Sequence, residues 1–157
     1  MSYYFVMNIF LAFIWAALLG HFSPANMLTG FAIGYFVLFI ARRSLPSSSY
    51  FGKVYQAIVF VLFFLMELLL ANLRVAADVL TLQHHMRPRV LAFPMEARSE
   101  AEIILLSSLI TLTPGTLSLD VSSNRRVLYV HVMYAADEEK AKQELRRLEK
   151  RLLDLLR

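Results

Sequence analysis

The chain has 157 residues, of which 58% are hydrophobic, and its mean hydropathy is +0.55. A soluble domain of this length does not normally bury so much apolar sequence, so membrane residence is the simplest explanation. Cysteine is absent, which excludes a disulfide framework and thiolate metal sites and fits a reducing compartment. The net charge of +4 does not describe a nucleic-acid footprint, because the basic residues are scattered and, near the C-terminus, alternate with acids. They act instead as topology determinants, since Lys and Arg beside apolar segments stay on the cytoplasmic side.

Before Glu67 there is no acidic residue, and the only bases are Arg42, Arg43 and Lys53. An apolar membrane domain is therefore expected over residues 1–80 and a charged domain over 87–157. Residues 3–20 form a first predicted helix. It lacks the basic start of a secretory signal, so it is expected to be retained. His21-Phe22-Ser23-Pro24 interrupts the run, because Pro24 has no amide donor and holds Ser23 extended. A second helix is expected over 25–41. At about 1.5 Å per residue, each helix reaches roughly 25–30 Å, just enough for a hydrocarbon core. Gly30 and Gly34 stand four apart in the second helix, a spacing that lets another helix approach closely.

Arg42-Arg43-Ser44-Leu45-Pro46 and the serines after it make a polar loop, and a third apolar helix is expected over about 55–80. Its topology has two solutions. Basic flanks on both sides favour a two-helix hairpin with both ends inside, followed by a third helix lying in the interface. Three full spans are the alternative, and they place Arg42 and Arg43 outside. Glu67 sits within the third helix. A carboxylate at membrane depth is a default candidate for an ion path; near the headgroups, or paired with a base of a neighbouring chain, it is structural, and the polar Asn72, Arg74 and Asp78 favour that second role.

From Arg87 the pattern becomes that of a small α+β domain. Arg89 to Phe93 is a strand candidate closed by Pro94. Ser99-Glu100-Ala101-Glu102 is a capping box opening a helix to about Ile110, with Ile103, Leu106 and Ile110 on one face. Thr113-Pro114-Gly115 suits a turn in which Gly115 takes a positive φ. Leu117, Leu119 and Val121 then alternate with polar residues, predicting a strand that buries them. Ser122 to Arg125 turns into a strand over 127–133, burying Leu128, Val130 and Val132. The last helix carries Ala141, Leu145, Leu148, Leu152 and Leu155 as one stripe. The order β-α-β-β-α implies a β-α-β crossover followed by a hairpin, with helices on one sheet face.

Ser108-Leu109-Ile110-Thr111-Leu112-Thr113-Pro114-Gly115-Thr116, followed by Leu128-Tyr129-Val130-His131-Val132, resembles the signatures of the E subunit of Mrp (Mnh, Pha) type cation/proton antiporters. Trp15, the Phe22 to Asn26 break leading to Gly30, and the helix from Glu67 to Leu80 are similar to that family as well. The resemblance implies an accessory or assembly subunit of a multisubunit sodium/proton antiporter in the bacterial inner membrane, with its C-terminal domain cytoplasmic. Its large partner subunits would carry Na+ and H+. Membrane lipid is a further expected partner, nucleic acid is not, and neither a cofactor nor a catalytic residue is implied.

The signature residues also have a physical reading. Turn geometry accounts for Thr113, Pro114 and Gly115, while the hydroxyls of Thr111, Thr113 and Thr116 offer an alternative docking edge for a neighbour or an anion. His131 shares a mixed strand face with Val127 and Tyr129, where an interface or hydrogen-bonded histidine is expected rather than a metal ligand. His84 and His85 are adjacent and diverge, so they cannot chelate together. Phosphate-loop, dinucleotide, nucleophile-elbow and HExxH motifs are all absent from the sequence, so an enzyme is not expected. The alternative to a transport subunit is a membrane-anchored module that binds a cytosolic ligand.

Overall fold

The computed structural model describes residues 3–42, 50–81 and 86–157. Arg43, residues 44–49 and the His84-His85 pair lie outside the described residues. The elements run α1 (Tyr3–Leu18), α2 (Pro24–Ala41), α3 (Tyr50–Leu80), β1 (Arg89–Pro94), α4 (Glu100–Leu112), β2 (Thr116–Val121), β3 (Val127–Val132) and α5 (Glu138–Leu156). Among the described residues, α2 and α3 are long and apolar enough to cross a membrane, and α1 is a shorter apolar helix. The chain forms two compact units, residues 1–56 and 57–157, which divide within α3.

In the first unit the close helix approach expected of Gly30 and Gly34 is made by α1. The buried residues of α1 include Asn8, Ala12 and Ala16, spaced four apart, and those of α2 are Gly30, Gly34 and Leu38. A Cβ at Gly30 would stand 2.8 Å from Trp15 Cβ and 3.0 Å from Ala12 Cα, and one at Gly34 would overlap Asn8 Oδ1. Small residues facing small residues let two backbones meet where lipid offers no competing apolar advantage. Ser23 caps α2 by accepting from the Asn26 amide at 3.2 Å, with Pro24 at the first helical position. The buried Asn8 donates from Nδ2 to Tyr50 Oη at 2.8 Å, tying α1 to the start of α3 amid Tyr4, Tyr35 and Phe51.

In the second unit the three strands are all antiparallel to their neighbours, in the order β1-β3-β2. The β-α-β connection is therefore split: β1 and β2 run in the same direction, and β3 lies between them. One sheet face carries Leu91, Phe93, Leu128, Val130 and Val132, which join Leu106 and Ile110 of α4, the stripe of α5 and Phe60 of α3 in one core. The expected burial of Leu117 and Leu119 does not occur; they are 45% and 50% exposed. The tight turn after α4 places the Thr116 hydroxyl on the carbonyl oxygens of Ile110 and Thr113, at 2.6 and 2.9 Å. That fixes Thr116 inward, and with a side-chain period of two Ser118 follows it while Leu117 points away. Ser118 Oγ then donates to Ser107 O at 3.0 Å, and a register shift between Ser118 and Asp120 leaves Leu119 outside.

Two buried carboxylates hold the connection between β1 and α4. Glu149 Oε1 accepts from the amides of Glu96 and Ala97 at 2.6 and 3.0 Å. Glu102 completes the capping box with Ser99 and accepts from the Arg98 and Ser99 amides, while Arg157 Nε donates to it at 3.1 Å. The Arg157 guanidinium, followed by those two amides, lowers the Glu102 carboxyl from 4.5 to about 2. Because the folded value lies below the unfolded one, this contribution to stability is complete above about pH 4.5 and is lost as pH falls toward 2. Thermal unfolding of the purified full-length chain should therefore show Glu102→Gln less stable than wild type at pH 7. The difference between the two should shrink as pH is lowered from about 5 to about 2; a gap that stays constant would show that the Arg157 contact does not set this titration.

Candidate functional site

The charged residues of α3 are placed by helical spacing. Glu67, Arg74 and Asp78 lie seven and four positions apart, so they share one face. Phe60, Phe63 and Phe64 lie on that same side and pack against the core of the α+β module. Leu62, Leu65 and Leu69 are more than half exposed and lie on the other side. Asn72, also outside, satisfies its amide on the Leu68 carbonyl at 2.8 Å.

Glu67 and Arg74 each meet a group of the module. Glu67 Oε1 accepts from Arg147 of α5. The Arg147 guanidinium also stands 5.6 Å from the Phe63 ring centre, and that of Arg151 stands 4.1 Å from it. Arg74 lies 5.7 Å from the centre of the Tyr134 ring. Burial, followed by the neighbouring Asp78 carboxylate, raises the Tyr134 hydroxyl above its ordinary value. Asp78 itself is 5% exposed. A helix that reads as apolar thus turns its polar groups onto its own C-terminal module. Leaving such groups in hydrocarbon costs a few kcal/mol each, and this arrangement avoids that cost.

A cavity of about 80 Å³ lies between α3 and the module, lined in part by Phe63, Phe64, Glu67, Thr113, Thr116 and Leu148. The structure therefore brings together three residues singled out in the sequence: Glu67, Thr113 and Thr116. The volume suits two or three waters at about 30 Å³ each. Thr113 Oγ1 donates to Leu109 O at 3.0 Å, Thr111 Oγ1 accepts from the Ser118 amide at 3.2 Å, and the Thr116 hydroxyl is engaged on α4 as described. The Thr111 and Thr116 hydroxyls thus knit the end of α4 to β2, while that of Thr113 closes on α4 itself.

His131 lies elsewhere, on the outer sheet face in register with Val90 and Leu117. Gly30 and Gly34 belong to the α1–α2 contact. Among the described residues no group of three or more His, Cys, Asp or Glu side chains is placed to hold a metal ion. Sequence reasoning missed Arg147 and Tyr134 as partners of α3. The spacing of Glu67, Arg74 and Asp78 was a readable signal that one face is polar; which bases and rings meet it was not readable.

Gly115 has φ +88°, and a Cβ there would meet the Tyr134 ring at 3.2 and 3.3 Å. A β-branched side chain is strained by the backbone and crowded by the ring. Gly115→Val should lower the amount of folded chain recovered from membranes, whereas Thr113→Ser, which keeps the donor to Leu109 O, should be mild. Normal recovery of Gly115→Val with loss of activity would make this turn a working site rather than a structural one.

A family model described as a Na+/H+ ion antiporter subunit matches residues 8–155. A relative from Bacillus subtilis, described as the E subunit of a Na(+)/H(+) antiporter, is 41% identical over 141 residues, covering 90% of this chain and 89% of the relative. A second, from Alkalihalophilus pseudofirmus and described in the same words, is 34% identical over 140 residues, with 89% of each chain covered. Among solved structures, a chain of the Mrp complex from Dietzia sp. DQ12-45-1b is 33% identical, with a TM-score of 0.51 over 64% of this chain and 96% of that one. A chain of an archaeal membrane-bound sulfane sulfur reductase shares the fold, at 24% identity and a TM-score of 0.61 over 99% of both chains.

Proposed function

The chain belongs to the family of E subunits of Na+/H+ antiporters, components of a multisubunit antiporter, and we propose that within such an assembly it is an accessory subunit that does not carry the ion. The observation that supports this reading is the placement of the α3 charges. Glu67, the one acidic residue deep in the apolar sequence, is engaged by Arg147 of the same chain, and a carboxylate held by a guanidinium is a poor proton relay. Its role is to clamp α5 onto α3.

The α1–α2 pair anchors the protein in the bacterial inner membrane as a hairpin. From Phe60 onward α3 lies at the cytoplasmic interface, with its apolar side toward lipid or partner subunits and its charged side under the module. Three features support that placement: Arg147 and Arg151 of the polar α5 helix reach Glu67 and Phe63 of α3, Arg74 and Asp78 follow within the same helix, and basic residues flank the segment. Other antiporter subunits are its partners, and the module faces the cytoplasm.

Two experiments test this reading. Glu67→Gln should reduce assembled antiporter only modestly, since a half-exposed ion pair is worth about 1 kcal/mol, and Glu67→Arg should be worse. The exchange Glu67→Arg with Arg147→Glu should restore assembly. Antiport in everted vesicles, normalised to assembled complex, should stay near wild type for Glu67→Gln; near-complete loss with normal assembly would put Glu67 on the ion path. A cysteine at Ser123, in the β2–β3 turn, should resist an impermeant maleimide in intact cells and react after permeabilisation. Ready labelling in intact cells would overturn the cytoplasmic placement.

A further inference from the structure

Beside the Glu67 clamp, the same helix borders a second and larger cleft. It measures about 430 Å³ and is lined by Arg74 of α3, by Tyr134, and by Asp137, Lys140 and Glu144 at the start of α5. That volume falls within the range of small-molecule sites, roughly 300–1,000 Å³. The lining is mainly polar, and its charges are mixed. Arg74 rests on the Tyr134 ring, and its guanidinium makes no ion pair among the described residues. Lys140 and Glu144 are exposed, stand one helical turn apart, and likewise make no ion pair among the described residues. Asp137 is already committed, since its Oδ1 accepts from the amides of Glu139 and Lys140 at 3.0 and 3.2 Å. Two cations and two carboxylates thus border one open cleft, and of the carboxylates Glu144 is the one that no amide engages.

Next to Arg74 on α3, Leu70 and Leu73 are 46% and 58% exposed, on a helix long and apolar enough to enter a membrane. A ligand filling this site has a phosphate for Arg74 and Lys140, an ammonium for Glu144, and hydrocarbon for the leucines. From that combination we infer that the cleft binds the headgroup of a phospholipid bearing a primary amine, with phosphodiester and ammonium in the cleft and acyl chains along α3. Arg74 offers paired N–H donors to the phosphodiester and Lys140 a point charge. Glu144 accepts from the ammonium, which a glycerol headgroup lacks and a trimethylated amine cannot supply as a donor. The inference rests on the interfacial placement of α3, and it gives the protein a lipid-reading site where the module meets that helix.

The test uses the assembled antiporter in mild detergent with photoactivatable phospholipids whose diazirine lies on an acyl chain. Capture is mapped to individual residues of α3. The phosphatidylethanolamine probe should label the Leu69–Leu73 stretch several-fold more than phosphatidylglycerol or phosphatidylcholine probes. Arg74→Gln and Lys140→Gln should each reduce that labelling by about tenfold, the usual consequence of losing one charge-assisted contact. Glu144→Gln should abolish the preference for ethanolamine while leaving capture of the glycerol probe unchanged. Labelling of α1 and α2 by the same probe serves as the internal reference, so a misfolded variant is recognised by loss at both places. Equal capture of the three probes by wild type, undiminished capture in both Arg74→Gln and Lys140→Gln, or displacement of the probe by inorganic phosphate alone would each overturn the proposal. If the Ser123 cysteine is nevertheless protected in intact cells, the lipid site fails while the placement of the module stands.

Discussion

A helix with charges inside an apolar sequence must bring all of them to one side and have them met there, and in this chain α3 does both. Glu67, Arg74 and Asp78 share a face with Phe60, Phe63 and Phe64, and that face is turned to the C-terminal module. The other side is left free of charge. A carboxylate left in hydrocarbon costs a few kcal/mol, and the contact of Glu67 with Arg147 of α5 offsets that cost within the chain itself.

The module depends on the same contact in return. A three-stranded sheet with two helices has a marginal core, and Phe60 of α3 adds to it. Its irregular segment between β1 and α4 buries Met95 and Ala97 in the core. Glu149 and Glu102 fix it further by accepting its backbone amides, and hydrogen bonds to a carboxylate are stronger than those between neutral groups. The segment around Thr113-Pro114-Gly115 works in a similar way. The Thr111 and Thr116 hydroxyls and the positive φ of Gly115 close the end of α4 onto β2.

The N-terminal unit solves its packing differently. Asn8, Ala12 and Ala16 against Gly30 and Gly34 bring α1 and α2 close enough that no Cβ fits between them at the glycines. The glycine pair therefore serves the packing of α1 against α2 within this chain.

Local structure was legible from the residues alone, because each local feature depends on neighbours within one or two turns. Pro24 and Ser23 set the start of α2, the Ser99-Glu102 box set the start of α4, Gly115 set the turn, and the spacing of leucines set the stripe of α5. Resemblance in the Thr113-Pro114-Gly115 signature also carried the family. Where β3 lies, which face of β2 is buried, and which base meets Glu67 were settled only by the packing of distant segments against each other. Strand alternation shows that a face is buried but not which one: Leu117 and Leu119 look like core residues until the Thr116 hydroxyl fixes the parity of the strand. Ion-pair partners 80 residues apart in sequence, as Arg147 and Glu67 are, leave no local trace, since nothing near either residue specifies the other.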